Sequence, residues 1–541
     1  MHSFFKNNIF SISLGTALSK LTGFLRQTLI APLFGLGVAY DAFNYAYIVP
    51  SFLIIIIGGI NGPLHNAIVA VLTPLEVNKA RQILQNISLK VTLLFFIIGL
   101  LIFLNPELII NIVGPNLDQE TKLIAAKQLK ILSPCIPLSA FNGLSFGALN
   151  SKNKFFISSI SPIIVSIVTI IFIAIYWFFN LKNQIFNNLF YLELLSIATL
   201  VGTFIQTIIQ IYETYKIGLI KFSINFSRSF SEESRIFNLI IPASLSSGLG
   251  QINVFVDMFF ASSFKGAGAA LSYGNFLIQA PLGILSNAII LPILPKFSEL
   301  KNKKNNHKIN TILISSIEYC LLATLLITGF FISFNDLLVD LLFQRGAFNI
   351  QSAIIVKSIL IAYALGLPAY LFRDLLVRTY YAFEKTSLPF NLSIYGIGLN
   401  FFCDWMLIGA PFINSGNLFP FNFGVVGLVL SSGIVNCIIC IILSIKLKKF
   451  IKPLPHIFLL RKTFLLLIAS IFSIIISHSI VNFYAPNLNL FIKIFLLFVG
   501  STLYISLYFF ISFLLYLFIS IYLSFFLSLS INLYINNIIN K

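Results

Sequence analysis

The sequence predicts an all-α polytopic membrane protein of about fourteen transmembrane helices, arranged as two six-helix lobes followed by two C-terminal helices. Three observations predict it. Hydrophobic residues make up 58% of the 541 and charged residues only 10%, more apolar surface than a water-soluble core can hide. Apolar stretches long enough to cross a bilayer, about 20 residues each, recur along the chain. The basic residues, 35 against 17 acidic, gather in alternate loops between those stretches.

In chain order the stretches lie near 8–34, 42–73, 88–113, 124–149, 155–180, 187–215, 236–263, 267–295, 310–335, 352–382, 388–411, 420–447, 462–484 and 489–515. The first carries Lys20 and Arg26 inside its apolar run, with no cleavage site after a short apolar core, so it reads as a retained helix and not a signal peptide. The second passes Pro50 and then Gly58, Gly59, Ile60, Asn61, Gly62 and Pro63, which a straight helix does not accommodate. Unwound backbone at membrane depth lines a cavity or is buried in protein. The eighth repeats the style with Pro281 and Gly283. Interruptions in stretches 1, 2, 7 and 8 therefore place a cavity among them. The tail, Tyr516 to Lys541, stays apolar through Phe526 and either lengthens the last helix or lies along the interface.

Lys79 and Arg81 follow the second stretch, and Lys152 and Lys154 the fourth. Lys216, Lys221, Arg228 and Arg235 follow the sixth, Lys296 to Lys308 the eighth, Lys385 the tenth and Lys446 to Lys462 the twelfth. The intervening loops hold little beyond Lys182, Lys265 and Arg345. The net charge of +18 thus reads as membrane topology, not nucleic-acid binding, with both termini cytoplasmic. The basic segments 216–235 and 446–462 divide the chain into an N-lobe, 1–222, a C-lobe, 223–450, and a C-terminal pair with its tail, 451–541. Internal symmetry supports two lobes: Pro50 and Pro281, Pro137 and Pro368, and Phe141 and Phe372 are each 231 residues apart, the mark of a repeat-built transporter.

Charges inside apolar helices are expensive, and they survive there against a partner, a wet cavity or an anionic substrate. Ser19, Thr22, Gly23 and Arg26 form one helical stripe, with Lys20 one position round from it. Arginine's planar fork suits phosphate, so Arg26 with Lys20 reads as a diphosphate clamp; the competing reading pairs Arg26 with Asp41, and Lys20 equally suits snorkelling to the surface. Asp257 is a candidate cation or proton site, whereas Asp404, near a helix end, reads as structural. Asp374 and Arg378 have the i,i+4 spacing of a salt bridge, which leaves Arg373 without an obvious partner. His65 is a lone histidine that titrates near neutral pH unless packing engages it. The five cysteines all fall in predicted helices and read as buried apolar side chains, the Cys437 and Cys440 pair being weak metal evidence. No phosphate-binding loop, nucleophile elbow or paired-histidine motif is present, which argues against an ATP-driven pump or a phosphotransferase. No enzyme activity and no cofactor are expected, a coupling ion aside.

The chain resembles the MurJ/MviN lipid II flippases of the multidrug/oligosaccharidyl-lipid/polysaccharide exporter superfamily. The resemblance rests on Ser19-Lys20-Leu21-Thr22-Gly23-Phe24-Leu25-Arg26, Phe34-Gly35, Asp41-Ala42-Phe43, Pro50, Gly147-Ala148-Leu149-Asn150 and Leu291-Pro292. It continues through Phe343-Gln344-Arg345-Gly346-Ala347-Phe348, Arg378 with Tyr380-Tyr381-Ala382, and Gly424 with Gly427-Leu428. The Gly59 to Pro63 break is similar to the cyanobacterial and plastid branch. The resemblance implies two lobes in a V around a central cavity and a groove on the last two helices for a polyprenyl tail. Its implied activity is movement of undecaprenyl-diphosphate-linked peptidoglycan precursor to the outer leaflet by alternating access. Lys20 and Arg26 then take the place of the family's basic pair, Asp41 that of its helix 2 acid, and Arg345 and Gly346 belong to a gating or loop motif. The chain departs from the family pattern at Phe52 to Ile57 and at Asn275 and Phe276, where further cavity charges are usual; Arg373 and Arg378 are the nearest replacements, and Asn61 and Asn275 are further cavity or coupling candidates.

Implied partners are lipid II, membrane lipids and peptidoglycan synthesis proteins, with a monomeric chain and no nucleic acid. The implied site is the cell inner membrane, or equally the inner envelope of an organelle. The alternatives are a cation-coupled drug or small-solute antiporter driven at Asp257, and a non-transporting membrane scaffold.

Overall fold

A computed structural model describes residues 2–57, 63–183, 188–220, 231–290, 293–302, 305–409, 421–448, 456–484 and 490–539, and all regular structure among them is helical. The helices are α1 (His2–Phe34), α2 (Val38–Ile57), α3 (Pro63–Leu72), α4 (Val77–Leu104), α5 (Pro106–Val113), α6 (Gln119–Leu132) and α7 (Cys135–Ser151). They continue with α8 (Phe155–Ile160), α9 (Ile163–Asn183), α10 (Asn188–Lys216), α11 (Ser231–Ala261), α12 (Ala267–Leu285) and α13 (Ile293–Asn302). The remainder are α14 (Asn306–Leu342), α15 (Ile350–Ala382), α16 (Ser387–Ile408), α17 (Val425–Leu447), α18 (His456–Tyr484) and α19 (Leu490–Ile539).

Each predicted stretch coincides with one helix or with a broken one. Nine described helical stretches are by themselves long and apolar enough to cross a membrane, and ten if α6 and α7, bent by 43°, count as one; fourteen is an approximate count. The tail lengthens the last helix, since α19 runs unbroken for 50 residues, about 75 Å at 1.5 Å per residue.

The breaks fall differently from the expected ones. α1 and α11 are continuous despite their polar residues, because a solvated or paired side chain leaves the backbone ladder intact. The break in the second stretch, with Asn61, lies outside the described residues. The eighth leaves α12 through a π-helical turn, Ser286–Ile290. Three further breaks coincide with prolines, which cannot donate to the ladder: Asn105 and Pro106, Ser133 and Pro134, and Ser161 and Pro162. Pro106 opens α5 at its first turn, where the missing N–H has no partner to lose. Asp118 caps α6 by accepting from the backbone N–H of Thr121 at 3.2 Å and from its hydroxyl at 2.8 Å.

The chain divides into two compact units. The first comprises Met1–Tyr273, Phe343–Ile355 and Ser393–Leu428. In it α2 packs on α6, α3 on α7, α10 on α9 and α7, and α11 on α2 and α3. The second comprises Gly274–Leu342, Val356–Leu392 and Val429–Lys541. Its α14, α18 and α19 pack together around Phe334, Leu337 and Tyr504. The Tyr504 and Tyr508 hydroxyls donate to the backbone carbonyls of Leu326 and Leu322, at 3.0 and 3.1 Å, which satisfies polar groups that lipid cannot serve.

Candidate functional site

In the first unit the α1 stripe is open at Gly23: among the described residues no atom lies within 4 Å of where its side chain would begin. Thr22 turns its hydroxyl back onto the carbonyls of Leu18 and Ser19, both at 3.0 Å. Lys20 is exposed. Arg26 is half-buried, and its Nε is buried without a hydrogen-bond partner among the described residues.

The acid expected beside Arg26 is engaged elsewhere. Asp41, 3% exposed in the first turn of α2, accepts from the backbone N–H of Gly266 at 3.1 Å and of Ala269 at 3.0 Å. It thereby serves the unsatisfied donors at the start of α12. The Arg26–Asp41 ion pair is accordingly not among the described interactions. The reason is geometric: two backbone amides at the start of α12 already occupy the carboxylate, one on each oxygen. Next to Arg26, Gln27 is buried and donates to the Tyr40 hydroxyl at 2.7 Å, which lies 3.0 Å from the Ser272 hydroxyl. This chain from α1 through α2 to α12 escaped the sequence reading, although Gln27 adjoins the stripe.

Two acids of the first unit meet. The Asn400 amide of α16 donates to Asp257 Oδ1 on α11 at 2.9 Å and to Asp404 Oδ2 at 3.0 Å. Asp404 is fully buried. Asp404, read as structural, makes a hydrogen bond within its own helix and shares a polar cluster with Asp257. The i,i+4 spacing of Asn400 and Asp404 was the available signal. Two carboxyls gathered by one amide favour a shared proton or a bound cation.

His65 is 5% exposed. Its Nε2 lies 2.8 Å from the Asn150 amide nitrogen and its Nδ1 3.2 Å from Asn66 Oδ1, while the Ser158 hydroxyl donates to Asn150 Oδ1 at 2.6 Å. With Asn150 donating, the imidazole accepts at Nε2 and donates from Nδ1. His65 thus ties α3 to α7 and, through Asn150, to α8.

The loop at Arg345 and Gly346 interlocks with the end of α1. Ala347 N–H donates to the Pro32 carbonyl at 2.7 Å, one of the carbonyls left over at a helix end. Gly346 and Gly35 both have positive φ, +56° and +53°, and a Cβ on either would collide with backbone, of Pro32 and of Ala347 respectively. Arg345 is exposed. Phe343 and Phe348 pack on Tyr273, with ring centroids 5.0 and 5.3 Å apart.

In the second unit Arg373, expected to lack a partner, donates to Asn436 Oδ1 at 2.8 Å. Arg378 pairs with Asp374 at 3.3 Å as its spacing predicts. Asn275 is exposed and accepts from Gln279 Nε2 at 3.3 Å. A cavity of about 340 Å³ lies along α14, α18 and α19, lined by Tyr319, Leu322, Leu465, Leu466, Phe509 and Phe513. Lys462 and Glu318, 2.8 Å apart, also line it. The cysteines are free thiols, and Cys440 Sγ donates to the Ala369 carbonyl at 3.2 Å.

Together the helices, the cation in a membrane helix and the buried acid cluster define a class: a multi-pass helical membrane transporter. The family model for lipid II flippase MurJ matches residues 30–502. The chain belongs to that family. It is 34% identical over 429 residues to the probable lipid II flippase MurJ of Synechocystis sp., covering 79% of this chain and 78% of the relative. A solved structure of lipid II flippase MurJ in an inward closed conformation aligns with a TM-score of 0.73 and 25% identity, over 92% of this chain and 97% of its own. An inward-facing multidrug resistance MATE family transporter of the MOP superfamily shares the fold, with a TM-score of 0.59 and 15% identity over 80% of this chain and 96% of its own.

Proposed function

We propose that this chain is a lipid II flippase that carries its substrate from the cytoplasmic to the outer leaflet by alternating access, with Arg26 and Lys20 holding the diphosphate. The observation that carries the reading is the Arg26 guanidinium: its Nε is buried without a partner while Asp41 is committed to the start of α12. A buried cation left without a counter-charge is costly, and an anionic substrate offsets that cost. Two charge-assisted hydrogen bonds from one planar guanidinium suit a diphosphate better than a single carboxylate.

The division into lobes 1–222 and 223–450 supplies the two bodies that rock, and residues 451–541 keep the polyprenyl tail in lipid. The apolar cavity along α14, α18 and α19 supports that assignment. Asp257 with Asp404 and Asn400 is the coupling site, where a proton or monovalent cation binds in one state and leaves in the other. Both termini are cytoplasmic, the membrane is a cell inner membrane or an organelle's inner envelope, and the chain acts as a monomer beside the enzymes of peptidoglycan synthesis. Arg373 and Arg378 stabilise α15 and do not replace cavity charges.

Complementation tests the reading. A bacterium depleted of its own lipid II flippase should be rescued by this chain and not by its Arg26→Ala form, at equal amounts in the membrane. Failure of the unsubstituted, folded chain to rescue would overturn the substrate assignment.

A further inference from the structure

The first half of α4 is polar, and its apolar run begins at Val91. Lys79, Asn86 and Lys90 share one stripe of this segment, and the stripe meets the first turn of α11. Lys79 Nζ lies 2.5 Å from Glu232 Oε1, and Lys90 Nζ lies 2.6 Å from Glu233 Oε2. Asn86 donates to the other Glu233 oxygen at 2.7 Å. Glu233 is 2% exposed, whereas the Lys90 side chain is 53% exposed. The acid is thus enclosed and the cation reachable, at the level where the apolar core begins.

The far end of α11 is held by different chemistry. There the Asn116 backbone N–H donates to the Ser262 hydroxyl at 3.2 Å and its amide to the Ser263 hydroxyl at 3.0 Å, and Asp41 holds the turn that follows. Here no carboxylate meets a lysine: the serine contacts are neutral, and Asp41 accepts only from backbone amides. At the near end a carboxylate already occupies the position that a stronger anion would take.

We propose that Lys90, with Asn86 beside it, is the landing place of the substrate's diphosphate, and that Glu233 holds it until the substrate arrives. The inference deepens the flippase reading and rests on its orientation, which puts the start of α11 on the cytoplasmic side. A lipid-anchored diphosphate rides at the interface, where Lys90 sits. It carries more charge and more acceptor oxygens than a carboxylate, and a half-exposed ion pair is weak enough to exchange. Displacement of Glu233 frees the first turn of α11, with Lys79 and Glu232 as the flanking contact that closes again after transfer. The site that admits the substrate is then distinct from Arg26, which holds it in the membrane.

The test uses the full chain in lipid nanodiscs, undecaprenyl diphosphate as probe, and spin labels at Gln82 and Ser234 to read the separation of α4 from the start of α11. The probe should lengthen that separation, and undecaprenol, which lacks the diphosphate, should not. Lys90→Gln and Glu233→Gln both remove the ion pair, and both should lengthen the separation without probe. Their effects on probe affinity should be opposite: Glu233→Gln tightens binding about three- to fivefold and Lys90→Gln weakens it by about the same factor. Affinities that move in the same direction, or a separation indifferent to the probe, would overturn the proposal. The probe and undecaprenol comparison needs neither substitution, so it decides even where a variant fails to fold. If the unsubstituted chain binds no undecaprenyl diphosphate, the flippase reading itself fails; if it binds without moving α11, only the landing site fails.

Discussion

Arg26 of the first unit and the cations of the second are treated in opposite ways. Lys357 lies between Asp336 and Asp340, at 2.8 and 2.9 Å. Lys462 meets Glu318 at 2.8 Å, Arg373 meets Asn436 at 2.8 Å, and Arg378 meets Asp374 at 3.3 Å. Arg26 keeps a buried nitrogen without a partner, although an acid lies 15 residues further on and is spent on a helix start. A buried guanidinium nitrogen that no described residue answers, in a fold that pairs these other cations, is the position that suits a ligand. Polar satisfaction, more than charge alone, separates working residues from supporting ones.

Arg26→Ala should give the largest effect, with flipping in membranes reduced about tenfold or more and folded protein unchanged, while Arg26→Lys keeps part of the activity because a point charge replaces a fork. Equal loss of both quantities would erase the contrast. Lys357→Met should do the reverse: it leaves two acids facing each other, lowers stability by about 2 kcal/mol in a thermal melt, and spares flipping per folded molecule. Asp41→Ala should destabilise by about 1 to 2 kcal/mol through the lost cap, and Asp41→Asn by less, because an amide oxygen still accepts. Tyr504→Phe should remove about 1 kcal/mol from the second unit alone, read as a lower melting temperature with normal complementation.

The smallest effect is one of pH. Burial works against ionisation of Asp118, but the Thr121 hydroxyl and backbone N–H, with Lys265 near, hold its carboxyl below the ordinary carboxylate range. A depressed carboxylate stabilises the fold above its unfolded pKa, about 3.9, and loses that contribution as pH falls through the folded value. The melting difference between the chain and Asp118→Asn should therefore be constant from pH 8 to 5 and vanish on further acidification.

Much of the fold was legible because lipid imposes it: each apolar stretch had to become helical, and among the described residues each did. The kinks were less legible. Gly and polar residues suggested interruptions in α1 and α11 where none occur, whereas Pro106, Pro134 and Pro162 broke helices whose apolar runs looked uniform. A polar side chain can turn to a neighbour and spare the backbone, but a missing N–H cannot be turned. At the site, Arg26 was readable from its place in an apolar helix. The commitment of Asp41 to Gly266 and Ala269, and the meeting of Asp257 with Asn400 and Asp404, join residues more than a hundred positions apart, and no local pattern encodes those pairs.

The sequence by itself determined that this protein spans a membrane many times, that its family is the lipid II flippases, and that a cation stands inside its first helix. These follow from hydropathy, motif and the cost of a charge in lipid, all properties of neighbouring residues. Only the tertiary structure decided which charges are already answered, because an ion pair or a helix cap is fixed by distance in space. That placement left Arg26 available and bound Glu233 to Lys90.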